Sequence, residues 1–381
     1  MAYGDIGALI DVLEFDPTTG LQCWGIHVAG DVYAVASLNA SYHLEITTFS
    51  INAAGAISDA IIASASSASG YDALPHIIKI AANTFAIVYQ GVNNYLTVQT
   101  VSISDDGSTI TIIETLIIVS LDCRAPKIIH VAGDYFAVSY LQTAITTVKV
   151  STFTIDSAGN IGGIGDTIDL TAAGSYYTNI LNVSGDIYAV AYIDTANGIS
   201  VATIEIAAGG LITDAVIDTQ IIDAQVANSR ISMVEALPGV FAVAHSGTGI
   251  DGYVSTVTIS VAGTISAVLD TLEIWNADVT QFHITHIGLG ICAVTFKKDV
   301  LLDGNITTIS ISAAGLITDL VIDTLDFETV NYMDGMLLPI SGNIYAIFYG
   351  GEGNDGYVRT LDISTPPPGG PHHEMLMGMG P

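Results

Sequence analysis

The side chains able to carry or move charge are few in this 381-residue chain, and they gather at recurring places. Four of its eight Lys and Arg residues (Lys79, Arg124, Lys127 and Arg230) lie in or just before short apolar stretches, as do five of its nine histidines (His27, His76, His130, His283 and His286). Each stretch precedes one copy of a recurring phrase, such as "GDVYAV" at 30–35, "GDIYAV" at 185–190 and "GNIYAI" at 342–347. Seven residues before the alanine of the successive copies stand His27, Lys79, His130, Asn182, Glu235, His286 and Pro339. Cations gathered in a chain with 38 acidic side chains and a formal charge of −30 would hold an anionic group, because low-dielectric walls focus their field. The competing reading is a hydrated channel whose side chains satisfy one another and water.

Other chemistry finds less support. The histidines of this column come from separate copies of the phrase, a separation that disfavours metal ligation, so no metal or cofactor is expected. Gly-x-Ser-x-Gly, His-Glu-x-x-His, phosphate-loop and Asp-x-Asn-x-Asp-Gly signatures do not occur, which leaves an enzyme as the lesser reading. Cys23, Cys123 and Cys292 have no paired spacing and imply neither a zinc site nor a disulfide framework. The acidic field repels phosphate backbones, so nucleic acid is not an expected partner. "TIIETLIIVSL" at 111–121 is interrupted by charge and falls short of the ~20 apolar residues of a spanning helix, so membrane insertion is not expected. The start, "MAYGDIGALIDVLEFD", carries no basic segment leading into an apolar one, and no signal peptide is expected.

The elements that must position these side chains follow from the phrase itself. Its alanines are Ala34, Ala86, Ala137, Ala189, Ala242, Ala293 and Ala346, spaced by 52, 51, 52, 53, 51 and 53 residues. A fixed period of this length is a repeat architecture. Each unit reads as four short strands. An apolar first strand such as "PKIIHV" (126–131) meets a tight turn and a second strand such as "YFAVSY". A third with alternating side chains, "YVSTVTISV" (253–261), leads through a Gly turn to a fourth, such as "LITDLVIDTLDF" (316–327). Gly in these turns supplies the positive φ that tight hairpins demand. Cys292 stands in the aromatic slot of the sixth copy, a core position.

At this point residues 6 to 364 resemble a seven-bladed β-propeller. The resemblance implies an all-β fold of four-stranded blades, each about 52 residues long. The segment "GALIDVLEFD" (7–16) matches a fourth strand, and the last copy stops after its third, "GYVRTLDIS" (356–364). The N-terminal strand is therefore expected to complete the last blade and close the ring. No named functional family matches: the Trp-Asp endings and sialidase boxes of known propellers are absent, and no Gly-Gly pair recurs from blade to blade as in kelch repeats. Arg359 falls on a third strand, away from Arg124 and Arg230, unlike a sialidase arginine cluster. The recurring Asp11, Asp218, Asp270 and Asp323 fall on fourth strands, where charge is expected to discourage edge-to-edge pairing.

Strand order places the short first–second and third–fourth turns on one face. The variable segments, "SLNASYH" (37–43), "ASASSASGYDAL" (63–74), "FKKDVLLDG" (296–304) and "YGGEGNDG" (349–356), then share the other. Variable loops on a rigid scaffold suit recognition of a protein or glycan partner. Residues 365–381 leave the repeat as a Pro/Gly linker and a tail whose His372, His373, Met375, Met377 and Met379 suit docking or self-association. The function expected is a non-enzymatic binding or display module of an extracellular or virion-surface assembly, anchored by the tail. A structural subunit of a filament or shell and a polysaccharide hydrolase or lyase are the alternatives.

Overall fold

The computed structural model describes residues 2–67, 73–143, 146–194, 198–224, 230–298, 302–318 and 320–364. The tail, with His372, His373, Met375, Met377 and Met379, lies outside them. The described chain is all-β, with antiparallel sheets and only three-residue helical turns. Among the described residues no helix is long and apolar enough to cross a membrane.

Each sequence repeat becomes a four-stranded antiparallel unit. In the first, Leu21–Ala29, Val32–Leu38, Leu44–Ser50 and Ala63–Ser66 lie side by side in chain order. Second strands are buried along most or all of their length, and fourth strands alternate half-buried and exposed, as period-two patterning requires. All seven phrase alanines are fully buried, as is Cys292. The last unit joins Met333–Ser341, Ile344–Gly350 and Gly356–Ile363 to the N-terminal strand Ile6–Asp16, with Val12 opposite Arg359 and Leu13 opposite Val358.

One feature departs from the expected four short strands. Ile110–Ala132 and Ile161–Ser184 each serve as the fourth strand of one unit and the first of the next, which links ten strands into one hydrogen-bonded sheet. No turn residue interrupts "ITIIETLIIVSLDC", so the backbone passes between units while still extended.

Packing between consecutive units is apolar. Ile26, Val28 and Ala34 of the first meet Ile77, Phe85 and Val101 of the second. Phe15, Met336, Leu338 and Phe348 of the last meet Cys23, Tyr33, Val35 and Phe49 of the first. Two polar clamps accompany this packing. Third-strand Thr48, Thr100, Thr152, Thr203, Thr256, Thr308 and Thr360 donate to the carbonyls of Gly107, Gly159, Gly210, Gly263, Gly315, Gly4 and Gly55 at 2.5 to 2.8 Å. Those glycines adopt φ between 70° and 92°, a left-handed turn that aims the carbonyl at the neighbouring unit. The fourth-strand aspartates form the second clamp. Asp11, Asp218, Asp270 and Asp323 accept the backbone N–H of Ile57, Ile265, Ile317 and Ile6, each at 2.8 Å. They join units, which the expectation of edge protection did not foresee.

Candidate functional site

The first residues of the inner strands come together. Twelve positions before each phrase alanine stand Gln22, Leu74, Ala125, Tyr177, Arg230, Gln281 and Asp334, and all seven line one cavity of about 50 Å³. Gln22, Leu74, Ala125, Gln281 and Asp334 hold φ between 46° and 60°. Such left-handed backbone is uncommon for side-chain-bearing residues and concentrates at sites where geometry is imposed. Two of them are tied to the next repeat: Leu74 N–H donates to Gln22 Oε1 at 2.6 Å, and Asp334 N–H to Gln281 Oε1 at 3.0 Å.

Two residues further along stand Trp24, His76, Lys127, Asn179, Ser232, His283 and Met336. Trp24 is central among them. The rings of His76 and His283 meet it edge-on, with centroids 4.3 and 5.5 Å away, and Lys127 Nζ lies 3.4 Å from its ring centre. The backbone N–H of Ile128 donates to His76 Nδ1 at 3.2 Å, and that of Leu337 to His283 Nδ1 at 3.4 Å. With Nδ1 accepting, each neutral ring carries its proton on Nε2 and offers a donor. Desolvation and the Lys127 charge hold His283 neutral, its pKa depressed to about 3, and His76 is lowered well below the usual range for the same reasons.

Arg230 forms an ion pair with Asp334 and lies 5.1 Å from the Tyr177 ring centre. Burial raises the Asp334 carboxyl against the pull of Arg230. Desolvation and the nearby Arg230 drive the Lys127 ammonium well below its ordinary pKa. Several buried polar atoms around the cavity lack a hydrogen-bond partner among the described residues: Arg230 Nε, Asp334 Oδ1 and Asn179 Oδ1.

Of the nine inner-strand residues singled out from sequence, His76, Lys127, Arg230 and His283 meet here. His27, Lys79, His130 and His286 lie at the opposite ends of their strands, and much of their column works locally. His27 Nε2 and His130 Nε2 bond the carbonyls of Gly30 and Gly133, both at 2.8 Å, and Asn182 Nδ2 donates to Gly185 O at 2.8 Å. The Gly239 N–H donates to Glu235 Oε1 at 2.8 Å, so these side chains cap the first hairpin of their units. Lys79 Nζ donates to Val28 O at 2.6 Å. Desolvation lowers the His286 pKa. Arg124 precedes the cavity-lining Ala125 and pairs in register with Leu141. Trp24, Tyr177, Gln22, Gln281 and Asp334 were not among the expected site residues. Their signal lay in the column twelve before the alanine, where four of seven residues are polar or charged, and in Trp24 two positions on.

No protein-family description and no curated protein matches the sequence. Solved structures do match. A lectin of Burkholderia pseudomallei superposes with a TM-score of 0.66 at 13% identity, over 92% of this chain and 98% of the lectin. The periplasmic gluconolactonase of Pseudomonas aeruginosa superposes with a TM-score of 0.59 at 11% identity, over 84% of this chain and 95% of the lactonase. At these identities the likeness is one of fold: the chain has an all-β architecture of the β-propeller type.

Proposed function

We propose that the units form a ring of seven blades, closed by Ile6–Asp16, and that this ring is a non-enzymatic binding module. It recognises a protein or glycan partner through the variable-loop face. The tail, residues 365–381, anchors it to an extracellular or virion-surface assembly. The observation that carries the reading is the convergence of residues from all seven repeats on one cavity at the loop-face ends of the inner strands. Seven Thr-to-Gly clamps running from each unit to the next, with Thr360 of the last reaching Gly55 of the first, support the ring.

His283, Cys23 and His245, side chains that could serve a hydrolase as base or nucleophile, are engaged. The His283 Nδ1 lone pair accepts a backbone N–H, and Cys23 Sγ donates to Gly20 O at 3.0 Å, with its thiol pKa raised by burial. His245 Nε2 lies 3.0 Å from Ser255 Oγ, and His245 Nδ1 lies 3.9 Å from Asp223. His245 and Ser255 are fully buried, however, and unit three builds the same chain from Tyr140, Ser151 and Thr167. This is a structural hydrogen-bond chain.

Binding to an array of glycans and surface proteins tests the proposal. Selective binding is expected, and it should be lost when residues 351–355, between the strands ending at Gly350 and starting at Gly356, are replaced by Gly/Ser. A wild-type chain that binds nothing on the array, or that hydrolyses gluconolactone faster than buffer, overturns it. Anchoring is tested by light scattering: assembly of the full chain into defined oligomers and a monomer for a chain ending at Ser364 are expected.

A further inference from the structure

We infer that the outer edge of strand Ile110–Ala132 receives residues 374–379 of a second copy of this chain, added as one more strand. The inference rests on the tail-anchoring reading proposed above and names the surface on which the tail docks. Over Ile110–Asp122 the strand pairs with Tyr95–Ile103 on one side, and Tyr135–Gln142 meets it only from Cys123 onward. Among the described residues no strand takes the remaining edge of 110–121, so its backbone N–H and C=O groups are open to pairing.

Fourth strands elsewhere defend this edge, and that of the second unit does not. In six units a carboxylate early in the strand accepts a backbone N–H from the next unit: Asp11, Glu114, Asp166, Asp218, Asp270 and Asp323. Three residues on, always exposed, stand Glu14, Ile117, Asp169, Ile221, Glu273 and Asp326. Four of these are acidic, and charge at that place discourages a further strand. In the second unit Ile112, Ile113, Ile117 and Leu121 are instead 36, 37, 46 and 47% exposed. Glu114 is the one charged side chain within 110–121, and its bond to Ile161 N–H at 2.6 Å directs it to the neighbouring unit. The fourth unit also carries an isoleucine, Ile221, but its strand is only Asp218–Asp223, with an aspartate at each end.

The occupant has to be extended, apolar and nearly uncharged, because a chain of formal charge −30 repels acidic segments. Residues 374–379, "EMLMGM", meet these terms. Glu374 is their only charge, and in a strand Met375, Met377 and Met379 share one side. Unbranched methionine adapts to the uneven row of Ile113, Ile117 and Leu121. Pro366, Pro367, Pro368 and Pro371 offer no N–H to a ladder, so pairing starts after them. Nine residues separate Ser364 from Glu374 and reach ~28 Å when extended. Within one chain the first unit stands between the last unit, which ends at Ser364, and the second. A second copy presents its tail to the edge directly. The contact is head-to-tail, each copy giving one tail and receiving another.

Light scattering and amide hydrogen exchange on the full chain test this. The wild type is expected to assemble, with exchange across 111–121 slower by about 10-fold than in the tail variant Met375→Asp/Met377→Asp. That variant is expected to be monomeric, as is Ile117→Glu, which gives the second unit the carboxylate that most other units carry. Ile221→Glu adds the same charge in the fourth unit and should assemble as the wild type does. Ile117→Glu assembling normally, or both Glu variants failing to assemble, overturns the inference and leaves tail anchoring standing. Equal exchange across 111–121 in the wild type and the tail variant does the same, and it decides the matter if Ile117→Glu melts early. A monomeric wild type overturns both readings; slowed exchange in that monomer would put the chain's own tail on the edge.

Discussion

Asp334 and Arg230 show how much a single pair can hold. Each has its charge balanced mainly by the other inside a poorly solvated space. Asp334→Ala leaves a guanidinium without its partner and is expected to lower stability by ~3 kcal/mol; Arg230→Ala should cost a similar amount. The double variant should cost less than the sum, and urea unfolding of all four proteins measures the difference. The histidines make a second residue-scale prediction. Desolvation lowers the pKa of His76, His245, His283 and His286. Between the folded and unfolded values the unfolded chain binds a proton that the folded chain refuses, so stability falls as pH drops below 6.5. For His283 the loss continues to about pH 3. For His283 the slope should approach ~1.4 kcal/mol per pH unit between these values, and His283→Gln should remove that share in pH-dependent melts. Sequence located these side chains on the first strands of the units but did not separate those at the cavity from those at the opposite strand ends. The columns seven and ten before the alanine look alike as letters. Hairpin capping claims the first, and the left-handed residue at the head of the strand, which no residue type announces at Leu74 or Ala125, turns the others into the cavity.

At the scale of elements, the strands are held to one another across units by two recurring clamps. Thr152→Val deletes one donor and leaves the Gly210 carbonyl unmet, at an expected cost of ~1 kcal/mol. Asp218→Ala strands the Ile265 N–H and should cost ~1–3 kcal/mol, whereas Asp218→Asn keeps an oxygen and should cost less. Denaturation midpoints that move at constant slope would report these losses; equal effects of Ala and Asn would refute the hydrogen-bond account. Four-strand units, turn glycines and the buried phrase were legible because period-two patterning and positive-φ demands act locally. The threonine column at 48, 100, 152, 203, 256, 308 and 360 was equally visible as letters. Its purpose was not, since the acceptor lies in the following unit. The continuity of Ile110–Ala132 escaped for the opposite reason: a missing turn is harder to notice than a present one.

At the scale of the molecule, the N-terminal strand bears on everything after it. Ile6–Asp16 covers the edge of Gly356–Ile363, and Ile6 and Leu9 pack with Leu361 and Ile363. A chain starting at residue 17 exposes that edge and is expected to aggregate on size exclusion, with a lower melting temperature. A well-behaved monomer of unchanged stability would contradict the weight given to this pairing. The same strand brings the ends of the described fold together: Gly4 N–H donates to Ser364 O at 2.8 Å and Ser364 N–H to Asp5 O at 2.9 Å. Chain order is therefore nearly arbitrary to the packed state. A circular permutant with 364 joined to 4 through a short linker and reopened at the Gly185 hairpin, where a Cβ would meet nothing within 4 Å, would keep each interface described above. In such a protein a label or fusion could be moved from one four-stranded unit to another while the cavity stayed as it is.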